Sequence, residues 1–161
     1  KIPMIAATHL HAMLIHFPIA LLIIGFLSEL MGLVSKKIFF NQVAYYLLIL
    51  GTFGTIAAYL SGDAAGEGME EGTLGKAIGM HQEAAIITLW LAISTSLVFS
   101  ALLFFKYQKQ WSKIMGVILF AVLLAAVSRT AYLGGLLVYN HGAGVELSLP
   151  DFKEPEGSEN P

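Results

Sequence analysis

Four uninterrupted apolar runs, roughly Leu10–Val34, Val43–Leu60, Ala84–Phe105 and Ile114–Tyr139, constrain this chain more than any other feature. A helix needs about 20 apolar residues to cross the hydrocarbon core of a bilayer, and each run is close to that length. The apolar residues follow one another without alternation, so they do not read as strands. Within lipid, only helices satisfy their own backbone segment by segment. Composition agrees: 12% of the 161 residues are charged and 57% are hydrophobic, against about 25% charge in an ordinary soluble domain. The expected fold class is therefore all-α, a single integral membrane four-helix bundle over residues 1–145. The acidic, proline-containing segment at 146–161, "ELSLPDFKEPEGSENP", reads as an extended tail. The chain starts at Lys1, which points to a missing N-terminal piece. The first run is too long for a secretory signal and lacks its small-residue cleavage site.

The connectors differ in charge. "SKKIFFNQ" and "KYQKQWSK" hold Lys36, Lys37, Lys106, Lys109 and Lys113, whereas "SGDAAGEGMEEGTLGKAIGM" is glycine-rich and acidic. The positive-inside rule puts the two lysine-rich turns in the cytoplasm, and both termini with the acidic connector on the extracytoplasmic side. The expected location is a cytoplasmic (inner) membrane, crossed four times. The acidic connector follows no strand, so its glycines are not a phosphate loop.

Two absences narrow the chemistry. With a net charge of −2 and no basic patch, the chain is unsuited to nucleic acid. With no cysteine, it has no disulfide, iron–sulfur cluster, thiolate zinc site or covalent haem attachment. Five histidines, eleven carboxylates and nine Lys/Arg remain.

All five histidines fall toward one membrane face. His9, His11 and His16 open the first span in "THLHAMLIHFP", His81 precedes the third apolar run, and His141 follows the fourth. At 100° per residue His9 and His16 share a helical face, whereas His11 points about 140° from His16. His11 instead shares its face with Pro18, Gly25, Glu29 and Gly32. Gly134 and Gly135 precede His141 by about two turns, leaving room for a flat body against that helix. The competing reading of such small residues is tight helix packing, and the second span, with Gly51, Thr55, Ala58 and Gly62, is read that way. Arg129 is the one basic residue inside a span, and an intramembrane charge points to a functional site or an ion pair. Glu29, a propionate or a quinone pocket are its candidate partners.

Imidazoles from separate helices suit iron, copper or zinc. Copper or zinc would enlist further donors such as Glu83, Met13 or Met80. A b-type haem needs only two axial histidines on facing helices. The expected site is therefore one or two bis-histidine haem b groups with axial ligands His11, His16, His81 and His141. Arg129, Gly134 and Gly135 would contribute to cofactor binding, and a quinone site is a further expectation. The expected ligand pairs are His11 with His141 and His16 with His81.

"HLHAMLIHFPIALLIIGFLSELMGL", the histidine ahead of the third apolar run, and "AYLGGLLVYNHGAGV" resemble a bacterial family of four-helix membrane proteins, domain of unknown function 2231. The resemblance spans roughly residues 8–145. It carries over to His11, His16, Pro18, His81, Gly134, Gly135, Tyr139, His141, Gly142 and Gly144. Family members usually place proline directly after the first histidine, where this chain has Ala12, and His9 matches no family position. Members fused to or encoded beside Rieske-type or c-type cytochrome domains imply an electron-transfer setting. The expected function is accordingly a cytochrome b subunit rather than a stand-alone enzyme. It would relay electrons between the quinone pool and a periplasmic c-type cytochrome or Rieske-type protein, alongside membrane lipid and other membrane subunits. Two alternatives stand beside it: a copper-, zinc- or iron-binding membrane protein or transporter, and a structural subunit without cofactor.

Overall fold

The computed structural model describes residues 7–67, 71–107 and 109–145; the tail at 146–161 lies outside them. The described residues form five helices: α1 (Ala7–Leu14), α2 (His16–Ser35), α3 (Ile38–Gly66), α4 (Gly72–Phe104) and α5 (Gln110–His141). Four segments, Ala7–Ser35, Ile38–Gly66, Gly72–Phe104 and Gln110–His141, are long and apolar enough to cross a membrane. The first comprises α1 and α2 with a break at Ile15.

That break has a local cause. Pro18 has no N–H to offer the Leu14 carbonyl, and its ring crowds that carbonyl. Leu14 is the last residue of α1. The neighbouring bonds from Ile15 N to His11 O (3.1 Å) and from Ile19 N to Ile15 O (3.4 Å) survive, so the span is kinked rather than cut. At the far end Lys36, with φ 56°, closes α2 in the left-handed region and donates its N–H to Gly32 O. Gly142, at φ 63°, closes α5 in the same region, which glycine enters without steric penalty.

The helices outrun the apolar runs. Much of the acidic connector is helical: α3 continues to Gly66 and α4 begins at Gly72. His81 therefore lies nine residues inside α4, about 13 Å from its start.

The spans form a closed ring in which α2 packs on α3, α3 on α4, α4 on α5 and α5 back on α2; α1 leans on α3 and α2. The core at mid-bundle consists of Leu22, Leu48, Ala92, Phe120 and Leu123, all fully buried. Phe120 sits edge-on between Phe26 and Phe99, at centroid distances of 5.9 and 6.1 Å. Glycines let the helices approach. A Cβ at Gly25 would come 2.9 Å from Phe120 Cζ, and one at Gly51 2.7 Å from Leu22 Cδ2. Hydroxyls tie neighbouring spans, as in membrane bundles generally: Thr52 to Ser96 at 2.7 Å, Tyr45 to Ser100 at 3.2 Å and Thr88 to Thr130 at 2.9 Å. Large apolar side chains such as Phe17, Leu50, Trp90 and Val122 cover the outside, as expected of a surface that faces lipid rather than water.

Candidate functional site

The face assigned to His11 from helical phase is the buried one. Pro18, Leu22, Gly25, Glu29 and Gly32 are the buried residues of α2, and His11 at the head of that face is half-buried. From there its ring points across the bundle and meets His81 of α4. The two imidazole centroids are 6.3 Å apart with ring planes at 78°.

Each ring is held from behind by a neighbouring helix. His81 Nδ1 lies 3.1 Å from the Thr130 carbonyl of α5. A carbonyl only accepts, so Nδ1 carries the proton and Nε2 keeps its lone pair. His11 Nδ1 lies 3.1 Å from Ser61 Oγ of α3, and the Ser61 hydroxyl spends its own proton on Ala58 O at 3.0 Å. His11 Nδ1–H is therefore the donor, and its Nε2 also keeps a lone pair. A hydrogen-bonded Nδ1 behind a free Nε2 is the tautomer and orientation that a metal-ligating histidine requires.

Small residues seat the two rings. A Cβ at Gly62 would stand 2.8 Å from His11 Cε1, and one at Gly134 3.1 Å from His81 Cε1. Helix α1 makes no close backbone approach to α4 or α5, so at this end His11 and His81 reach toward each other across a gap. Below them, Thr130 donates its hydroxyl to Ala126 O and receives that of Thr88.

The other expected residues lie elsewhere. His16 starts α2 beside Phe17, and both are exposed; the Pro18 kink leaves His16 on the outside while His11 turns inward. His141, the last residue of α5, is exposed and lies about 10 Å beyond Gly134 along the helix. Neither joins the pair, so the geometry differs from both expected pairings. Gly134 lies under His81 rather than serving His141, and a Cβ at Gly135 would meet open space. Arg129 is exposed on α5, next in the chain to the Thr130 that holds His81. Glu29 is buried near the opposite, lysine-rich end, so the two are not partners.

Ser61 and Gly62 were missed as site residues. Their small-residue strip reads as packing in sequence because no histidine lies on α3. The available signal was a serine–glycine pair at the histidine-bearing end of that span. Among the described residues, no three or more His, Asp or Glu side chains gather as a metal-binding group.

A family model described as "Predicted membrane protein (DUF2231)" matches residues 7–147, and the chain belongs to that family. No curated protein and no solved structure matches it.

Proposed function

We propose that this member of the DUF2231 family is a b-type cytochrome subunit of a membrane electron-transfer complex, with one haem held between His11 and His81. The observation that carries this reading is the close ring pair in which both Nδ1 atoms are engaged, while no hydrogen bond to either Nε2 is made among the described residues. His11 and His81, with ring centroids 6.3 Å apart, would hold the iron, and the haem would supply one-electron chemistry there. Among the described residues no third His, Asp or Glu donor joins the group; this supports a two-ligand centre over a copper or zinc site, which takes three or four.

In this reading the protein binds and orients. Ser61 and the Thr130 carbonyl fix the tautomers, and Gly62 and Gly134 admit the rings at close range. His16 and His141 are outer residues, so one haem is favoured over two. The lysine-rich turns support a reading in which the histidine end lies on the extracytoplasmic side of a bacterial inner membrane, where a periplasmic c-type cytochrome or Rieske-type protein would exchange electrons with it. A pair at one face leaves the rest of the electron path, including exchange with the quinone pool, to other membrane subunits.

A reduced-minus-oxidised visible spectrum with a pyridine haemochrome assay tests the proposal. One haem b per chain is expected; His11→Ala and His81→Ala should each abolish the bis-histidine spectrum, and His16→Ala and His141→Ala should leave it unchanged. Bound metal without porphyrin absorption would favour the metal-protein reading. Absence of both would leave the imidazoles as hydrogen-bonded staples between helices.

A further inference from the structure

A second polar feature lies at the lysine-rich end, about 27 Å along α4 from His81 to Phe99. There a cleft of about 240 Å³ opens among α2, α3, α4 and α5. Glu29 lines it, yet is only 6% exposed. No side-chain hydrogen bond or ion pair joins Glu29 to another described residue, and its nearest opposite charge, Lys113, shares the cleft without touching it. Gly116 of α5 makes the space: a Cβ there would stand 3.3 Å from Glu29 Oε1. Lys113 lines the same cleft about one turn nearer the helix start, with Lys36 and Tyr107 beside it. The apolar wall is Ile38, Phe99, Leu102 and Leu103. Tyr45 and Leu103 also border a wider, open apolar groove that continues past Leu97, Ala101 and Phe104.

A carboxylate from α2 and an ammonium from α5 that share one cleft without touching leave space between them for a ligand that carries both signs of charge. We propose that this cleft binds the headgroup of a zwitterionic aminophospholipid. The primary ammonium donates to Glu29, the phosphate accepts from Lys113 and Lys36, and an acyl chain lies in the adjoining groove. The cleft is smaller than the about 300–1,000 Å³ that encloses a whole ligand, which suits a headgroup whose chains stay in lipid. Glu29 supplies the selectivity: ethanolamine offers N–H donors and choline offers none. A neutral quinol ring would hydrogen-bond at both ends but bring no charge to set against either group. The site is independent of the imidazole pair.

The test is titration of the delipidated full chain in detergent with phosphatidylethanolamine, phosphatidylcholine and phosphatidylglycerol of matched chains, read by native mass spectrometry. Phosphatidylethanolamine should bind about tenfold more tightly than phosphatidylcholine, the effect expected of one charge-assisted bond. Glu29→Gln should bring the two within about twofold. Lys113→Gln should weaken both alike, and its result stands even if Glu29→Gln does not accumulate. Equal binding of ethanolamine and choline lipids by the unaltered chain would overturn the proposal. So would preference for phosphatidylglycerol, or displacement of phosphatidylethanolamine by an isoprenoid quinone.

Discussion

Gly62 of α3 lies against the His11 imidazole so closely that a Cβ on it would stand 2.8 Å from Cε1. Gly62→Ala should therefore turn the ring and break its bond to Ser61. Alanine in place of a helical glycine stabilises by about 0.5–1 kcal/mol, which offsets the lost contact. Thermal stability should change little while the ¹⁵N imidazole resonances of His11 shift. The corresponding change at Gly134, with its 3.1 Å approach to His81, should perturb His81 less.

The two imidazoles are held by different kinds of acceptor, a hydroxyl for His11 and a carbonyl for His81. Ser61→Ala should remove the His11 acceptor, costing about 0.6 kcal/mol, and free its tautomer to exchange. Thr130→Val should cost a similar amount, because it deprives Thr88 of its partner, yet leave the carbonyl that fixes His81. Imidazole ¹⁵N spectra distinguish the outcomes: the tautomer changes at His11 in the first variant, and at neither ring in the second.

Pro18→Ala restores an N–H able to reach Leu14 and removes the ring seated 3.1 Å from a Cβ placed at Gly54. Helices α1 and α2 should then fuse into one straighter span, carrying His11 away from Ser61. Hydrogen exchange should show a protected amide at position 18, and the His11 resonances should lose their Ser61-bonded shift. An unchanged His11 would mean that packing, not proline, aims the ring.

Phe120 is fully buried between Phe26 and Phe99, so Phe120→Ala should cost about 3–5 kcal/mol. Gly25→Ala, which pushes a methyl to 2.9 Å from Phe120 Cζ, should cost about 1–3 kcal/mol through overpacking. Val122→Ala, on the exposed side of the same helix at 48% exposure, should fall within about 0.5 kcal/mol. Reversible unfolding in detergent ranks the three.

Much of this was legible in the residues themselves. Four apolar runs fix four spans, because hydrocarbon thickness sets a length and unsatisfied backbone forbids anything but helix. That Pro18, Gly25, Glu29 and Gly32 share one face with His11 followed from 3.6-residue periodicity, since helical phase carries reliably along a continuous segment; that this face is the buried one came from the structure. Periodicity also split His11 from His16, and the structure keeps that division, with one ring half-buried and the other exposed. The helix ends were less legible: Asp63 and Lys76 look like connector residues, yet both are helical, because helix propensity does not stop where the lipid does.

What the sequence by itself determined is the class of the protein, its four spans and the gathering of the histidines toward one end; these depend only on hydrophobicity and rise per residue. The tertiary structure alone decided that His11 meets His81, that Ser61, Gly62, Thr130 and Gly134 hold the pair, and that His16 and His141 stand outside it. Those outcomes depend on the Pro18 kink and on how each helix rotates against its neighbours. Rotation is set by glycines and core side chains interlocking across the bundle, a relation between distant segments that no local pattern contains.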